Sequence, residues 1–131
     1  AVLAQLPPLA QGSSGHFANL AHTTALVECQ DWVDELRTEI AANKVLLAER
    51  LAARLPALSY RPTDGTYLAW VDCSPLGLAD PATTFRERGR VAFSPGVMFA
   101  GTHDQWVRIN LACSPEVVVE AVDRMVAALP R

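Results

Sequence analysis

The sequence predicts an α+β fold in which a mostly antiparallel sheet packs with helices and follows one long helix. Two stretches, 66–73 and 106–113, alternate in the two-residue rhythm of strands and are rich in aromatic and branched residues. A helical stripe of Trp32, Leu36, Ile40, Asn43, Leu47 and Leu51 is far longer than an ordinary small-domain helix needs. The strands lack regular helical crossovers between them, which argues against a doubly wound nucleotide fold.

In order, Pro7 and Pro8 resist helix, and Gly12 to Gly15 reads as a loop. Phe17, Leu20, Ala21, Thr24 and Val27 have helical spacing and predict a helix over about 15 to 28, with His16 in a capping or surface role at its start. Asp31 is a suitable N-cap for the long helix, and Pro56 marks its end. Asn43 falls inside the apolar stripe, where a buried amide needs partners; either a break in nearby backbone pairing or a ligand would supply them. Leu58 and Tyr60 suggest a short strand, and Thr63-Asp64-Gly65 a turn.

The 66–73 strand is apolar on both faces, with Tyr67, Ala69, Val71 and Cys73 on one side and Leu68 and Trp70 on the other, as expected of a central strand covered by helices. Asp80-Pro81 is an N-cap followed by proline at the first helical position, and Gly89 supplies the stop. Arg90 to Phe93 reads as a short strand turned by Ser94-Pro95-Gly96. In the next strand Val107, Ile109, Leu111 and Cys113 share one face, and Trp106, Arg108, Asn110 and Ala112 the other, after a loop tip at 101–104. Ser114-Pro115 opens a last helix with the stripe Val118, Val122, Met125 and Leu129.

A chain of 131 residues has room for one hydrophobic core and a short appendage. Half the residues are hydrophobic and 19% charged, so part of the surface is expected to be covered by something outside this sequence. The first residue is not methionine, which suggests a processed chain or a fragment. A net charge of -3, with no basic run or interleaved basic and aromatic patch, excludes nucleic acid as the expected partner. No stretch approaches a membrane span. Cys29, Cys73 and Cys113 are odd in number and widely spaced, with no C-x-x-C pair; they suggest neither a disulfide framework nor a thiolate metal site, and fit a reducing compartment.

Catalytic equipment is sparse: the chain has no phosphate-binding glycine loop with a lysine, no H-E-x-x-H and no nucleophile elbow. Asp72 and Asp80 read as strand-end and cap residues rather than paired acids, and His103-Asp104 as loop neighbours rather than a base and its orienter. Arg108 is the exception. On a strand it would be stiff enough to meet a planar carboxylate with two parallel hydrogen bonds, whereas on a solvated face it would be an ordinary surface arginine.

Several runs in order resemble the C-terminal part of a fold-type I pyridoxal-phosphate enzyme of the MalY/PatB-like cystathionine beta-lyase and aminotransferase branch. They are D-W-V-D-E-L at 31–36, A-N-K-V-L-L-A-E-R-L at 42–51, Leu55-Pro56, G-T-Y-L-A-W-V-D at 65–72, Leu76-Gly77-Leu78, R-V-A-F-S-P-G at 90–96, Met98-Phe99, V-R-I-N-L-A at 107–112 and Ser114-Pro115-Glu116. The resemblance covers nearly the whole chain. Family members usually carry glycine where this sequence has Ala100.

This resemblance implies that residues 1–30 are a remnant of the large cofactor-binding domain, 31–56 a bridging helix, and 57–131 the small C-terminal domain. It implies that Arg108 binds the α-carboxylate of an amino-acid substrate. Asn110 would support it, with Gly65, Thr66 and Tyr67 at the entry to the site, glycine there permitting an unusual backbone angle. Lys44, the sole lysine, occupies a position expected to be a basic surface residue, not the Schiff-base lysine. No residue of the chain is then expected to be catalytic or to bind cofactor or metal, and the fragment alone should be inactive. Pyridoxal 5'-phosphate, a homodimer and a cytoplasmic location are implied for the full-length lyase or aminotransferase. The alternative is a non-catalytic α+β binding or regulatory domain for a small carboxylate.

Overall fold

A computed structural model describes residues 15–58, 60–99 and 101–130. The expectations for residues 1–14 and for Ala100 lie outside the described residues. The chain divides into two compact units, 1–36 and 37–131. The first contains helix α1 (His16–Glu28) and the beginning of helix α2 (Gln30–Arg54). Here α1 buries none of its residues, and Phe17, Leu26, Val27 and Trp32 are exposed. Asp31 lies in the first turn of α2 rather than capping it, since the helix begins one residue earlier and Gln30 Nε2 donates to Asp34.

In the second unit the elements are the rest of α2, strand β1 (Leu68–Asp72), helix α3 (Pro81–Arg88), strand β2 (Ser94–Pro95), strand β3 (Trp106–Asn110) and helix α4 (Pro115–Ala128). Short 3-10 turns at Ser74–Leu76 and Gly96–Met98 join them. The sheet is antiparallel throughout, in the order β1-β3-β2. Two expected strands differ: Leu58 and Tyr60 are outside any strand, and pairing near 90–96 falls on Ser94-Pro95 instead of 90–93. Arg90, with φ of 57°, breaks the extended run, and its carbonyl accepts from Arg124 Nη1 at 2.7 Å.

Alternation along the strands sets the core. Ala69 and Val71 of β1 and Val107 and Ile109 of β3 point inward, joined by Cys73 and Leu111 just beyond the strand ends. Leu47 and Leu51 of α2, Phe85 of α3, and Val118, Val122 and Met125 of α4 close over them. Each such fully buried side chain contributes roughly 1.5–3 kcal/mol of transfer free energy. Asp80 Oδ1 accepts from the Thr83 backbone N–H at 3.0 Å and caps α3, as its spacing predicts.

The strand expected to be central, β1, lies at an edge; β3 is central. On the second apolar face of β1, Trp70 packs with aromatic residues from the 96–106 connection and the start of β3. That face is the one bearing Arg108.

Candidate functional site: an arginine on the outer sheet face

The register places Trp70, Arg108 and Ser94 in one row across β1, β3 and β2. Directly opposed antiparallel side chains lie about 5 Å apart at Cβ, close enough to define a common surface. Arg108 is partly buried. Its Nη2 donates to Ser94 Oγ at 3.5 Å, and its Cζ stands 4.0 Å from the centroid of the Phe99 ring. The guanidinium thus has an aromatic face on one side and a hydroxyl at one nitrogen.

Phe99 is held in turn. Its ring meets Trp70 edge-on, with centroids 5.8 Å apart and planes at 78°. Trp70 stacks on Trp106 at 5.8 Å and 19°, and His103 contacts both indoles. The connection that brings these rings together turns at Gly96, where a Cβ would sit 2.2 Å from the His103 carbonyl oxygen and 2.9 Å from Trp106 Cβ. No side chain fits there, so glycine is required by close approach rather than by a special φ.

Charge separates Arg108 from several of the other arginines. Arg50 and Arg54 meet Asp123, Arg86 meets Glu87, and Arg124 meets Glu120. Arg108 forms no ion pair among the described residues. A partly buried guanidinium whose protein contacts are a hydroxyl and a ring keeps N–H donors for an external anion.

The remaining expected site residues are placed less directly. Asn110 shares the face of Arg108 on β3, but its Oδ1 accepts from the Ala112 N–H at 2.8 Å and shapes the strand exit. Gly65, Thr66 and Tyr67 precede β1, and none hydrogen-bonds to Arg108 among the described residues. The unusual backbone angle expected at Gly65 belongs to Thr66, with φ of 57°. Thr66 Oγ1 accepts from the Leu68 N–H, while the Tyr67 carbonyl accepts from Leu111 and its side chain is exposed.

Lys44, expected at the surface, is buried. Its Nζ donates to the carbonyl oxygens of Thr63 at 2.6 Å and Gly65 at 3.1 Å, and lies 3.5 Å from that of Asp64. An ammonium that closes a turn resolves both its own burial and the carbonyls of the turn. Asn43, the other buried polar residue among the described ones, donates to the carbonyls of Leu111 and Cys113, so backbone rather than ligand satisfies it. Ser94, Phe99, Trp70 and Trp106 were not expected at the site; period-two alternation placed Trp106 on the Arg108 face, but cross-strand register is needed to bring Trp70 and Ser94 alongside.

Relatives of known name carry the same fold. A Mycobacterium tuberculosis protein provisionally named a cystathionine beta-lyase is 35% identical over 97% of this chain and 36% of its own length. Cystathionine beta-lyase PatB of Bacillus subtilis is 31% identical over 90% of this chain and 31% of its own. The chain is homologous to part of the cystathionine beta-lyases. The crystal structure of the pyridoxal-phosphate-bound C–S lyase from Staphylococcus hominis superposes with a TM-score of 0.84 at 25% identity, over 90% of this chain and 32% of that one. No family model matches. The chain spans about a third of the length of the curated lyase relatives it matches, and the matched part is their C-terminal portion.

Proposed function

We propose that Arg108 holds the α-carboxylate of an amino-acid substrate in a complete protein that works as a pyridoxal-phosphate-dependent C–S β-lyase or aminotransferase. The observation that supports this reading is the guanidinium of Arg108, held on the outer sheet face by Phe99 and Ser94 and paired with no carboxylate among the described residues. Two parallel N–H donors match a carboxylate in geometry and charge, and a strand holds them more stiffly than a loop would. A substrate tethered there presents its α- and β-carbons in a constant direction, which is what either reaction class needs from this part of the protein.

The described residues do not suit anchorage of the cofactor itself. The one lysine is committed to three carbonyl oxygens of a turn, so it is not offered to an aldehyde. In this reading the chain supplies substrate recognition, and the cofactor-binding residues belong to the rest of the complete protein. The chain alone is therefore proposed to be inactive. The division after Leu36 inside α2 supports the reading of that helix as a bridge between a large and a small domain. A homodimer follows from the family resemblance, and three free cysteines support a reducing, cytoplasmic setting.

Steady-state kinetics of the complete protein with L-cystathionine test the assignment. Arg108→Lys keeps the charge but loses the fork, and KM should rise about a hundredfold; Arg50→Lys should leave it unchanged. Normal KM in Arg108→Lys would overturn the carboxylate assignment. Carboxylate binding without any turnover in the cofactor-loaded protein would favour the binding-domain alternative.

A further inference from the structure

The carboxylate reading names what Arg108 binds but not what the exposed ring beside it contributes to that binding. Phe99 is 46% exposed and lies outside the hydrophobic core cluster, unlike Phe93, which packs edge-on against the buried Phe85. A phenyl ring that contributes little to the core and yet is held in place points to a task at the surface. Its ring partners are the Arg108 guanidinium at 4.0 Å and the edge of Trp70 at 5.8 Å.

Resting on the carboxylate reading of Arg108, we propose that Phe99 is a positioning residue that presets the guanidinium for the substrate. A cation within about 6 Å of a ring face is attracted by the ring quadrupole. A long arginine side chain otherwise samples many rotamers, and each carboxylate bound to it must first select one. Phe99 occupies one side of the guanidinium and Ser94 Oγ engages Nη2, which leaves the remaining N–H donors for a carboxylate. Trp70 holds Phe99 from the side, and the stacked Trp106 backs Trp70, which gives the platform a footing on two strands. The order of support runs from β3 and β1 through Trp106 and Trp70 to Phe99, and from Phe99 to Arg108.

The test uses the complete protein carrying Phe99→Leu or Phe99→Met, each of which keeps bulk but removes the ring face. With L-cystathionine, KM should rise about tenfold while kcat stays near wild type, as expected when rotamer preorganisation is lost but the arginine remains. The second readout needs no cofactor: phenylglyoxal modification of arginines in the cofactor-free protein, mapped by peptide mass spectrometry. Arg108 should react several-fold faster in both variants, with the rate at exposed Arg86 unchanged, and Phe99→Tyr should restore both readouts. Wild-type KM and wild-type Arg108 labelling in folded Phe99→Leu and Phe99→Met, with Arg108→Lys still defective, would overturn the positioning role alone. An unaltered KM in Arg108→Lys would instead overturn the carboxylate reading and this proposal with it.

Discussion

Asn43 of α2 donates both of its amide hydrogens to the strand exit, to the Leu111 carbonyl at 3.0 Å and the Cys113 carbonyl at 2.7 Å. The chain leaves β3 here with the Leu111 N–H still paired to the Tyr67 carbonyl, and the Asn43 side chain supplies donors for the two carbonyls. Through this pair of bonds the helix fixes where the strand carrying Arg108 ends.

Asn43→Leu should therefore cost about 2–4 kcal/mol, because two carbonyls lose their donor and the added methyl groups do not replace it. Asn43→Asp should be worse at neutral pH, since a carboxylate would face two carbonyl oxygens. Its folded pKa would then be raised, so stability should recover as pH falls and the acid gains a proton to donate. Urea midpoints of the two variants at pH 7 and pH 4 check the ordering; equal losses at both values for Asn43→Asp would contradict it.

Gly96 and Gly65 offer a matched comparison. A Cβ at Gly96 would overlap the His103 carbonyl and crowd Trp106, both close to the ring cluster, while one at Gly65 meets nothing within 4 Å. Gly96→Ala should lower stability by about 2 kcal/mol or more and disturb the stacking of Trp70 on Trp106. Gly65→Ala should change stability by less than about 0.5 kcal/mol. Thermal melts give the first pair of values, and near-ultraviolet circular dichroism, sensitive to coupled indoles, reports the second effect.

Local rules made the helices and the inner faces of the strands legible in advance. Asp80, Pro81 and Gly89 delimit α3 because caps act within one turn of chain, and Val107, Ile109 and Leu111 are buried because strand alternation is itself local. What depended on distant partners was misread. The apolar outer face of β1 suggested a covering helix, but Trp70 is covered by Phe99, His103 and Trp106, and nothing in its own strand distinguishes the two. Lys44 was expected at the surface from the family resemblance, and its acceptors, backbone carbonyls of a turn some twenty residues away, carry no side-chain pattern that would announce them. Arg108 was visible as a candidate from alternation and family resemblance, whereas its platform required the register of three strands.

Cys73 carries a second measurable consequence of the core. It is fully buried, and burial, with the nearby Asp72 charge, pushes its thiol up to about 12. At pH 8 iodoacetamide should label the partly exposed Cys29 while sparing Cys73 until urea unfolds the chain. Because the folded value lies above the ordinary 9.0, the stabilisation from keeping this thiol neutral is complete below pH 9 and is lost as pH rises toward 12. Peptide mass spectrometry after timed labelling checks the order, and early modification of Cys73 in the native protein would contradict the packing of β1.

The cap of α3 has the opposite pH signature. Asp80 accepts from the Thr83 backbone N–H, and this bond, helped by the Thr83 hydroxyl, holds its carboxyl below the ordinary 3.8. With the folded value depressed, the carboxylate's contribution is fully present above the unfolded pKa and disappears as pH falls through the folded one. Asp80→Ala should cost about 1 kcal/mol at pH 7, a size set by the cap bond because the group is largely exposed and screened. Asp80→Asn keeps a neutral acceptor and should lose only part of that, and its urea midpoint should converge on wild type as pH drops from 5 to 3. A difference between Asp80→Asn and wild type that stayed constant over this range would mean that geometry alone, and not the charge facing the helix N-terminus, stabilises the start of α3.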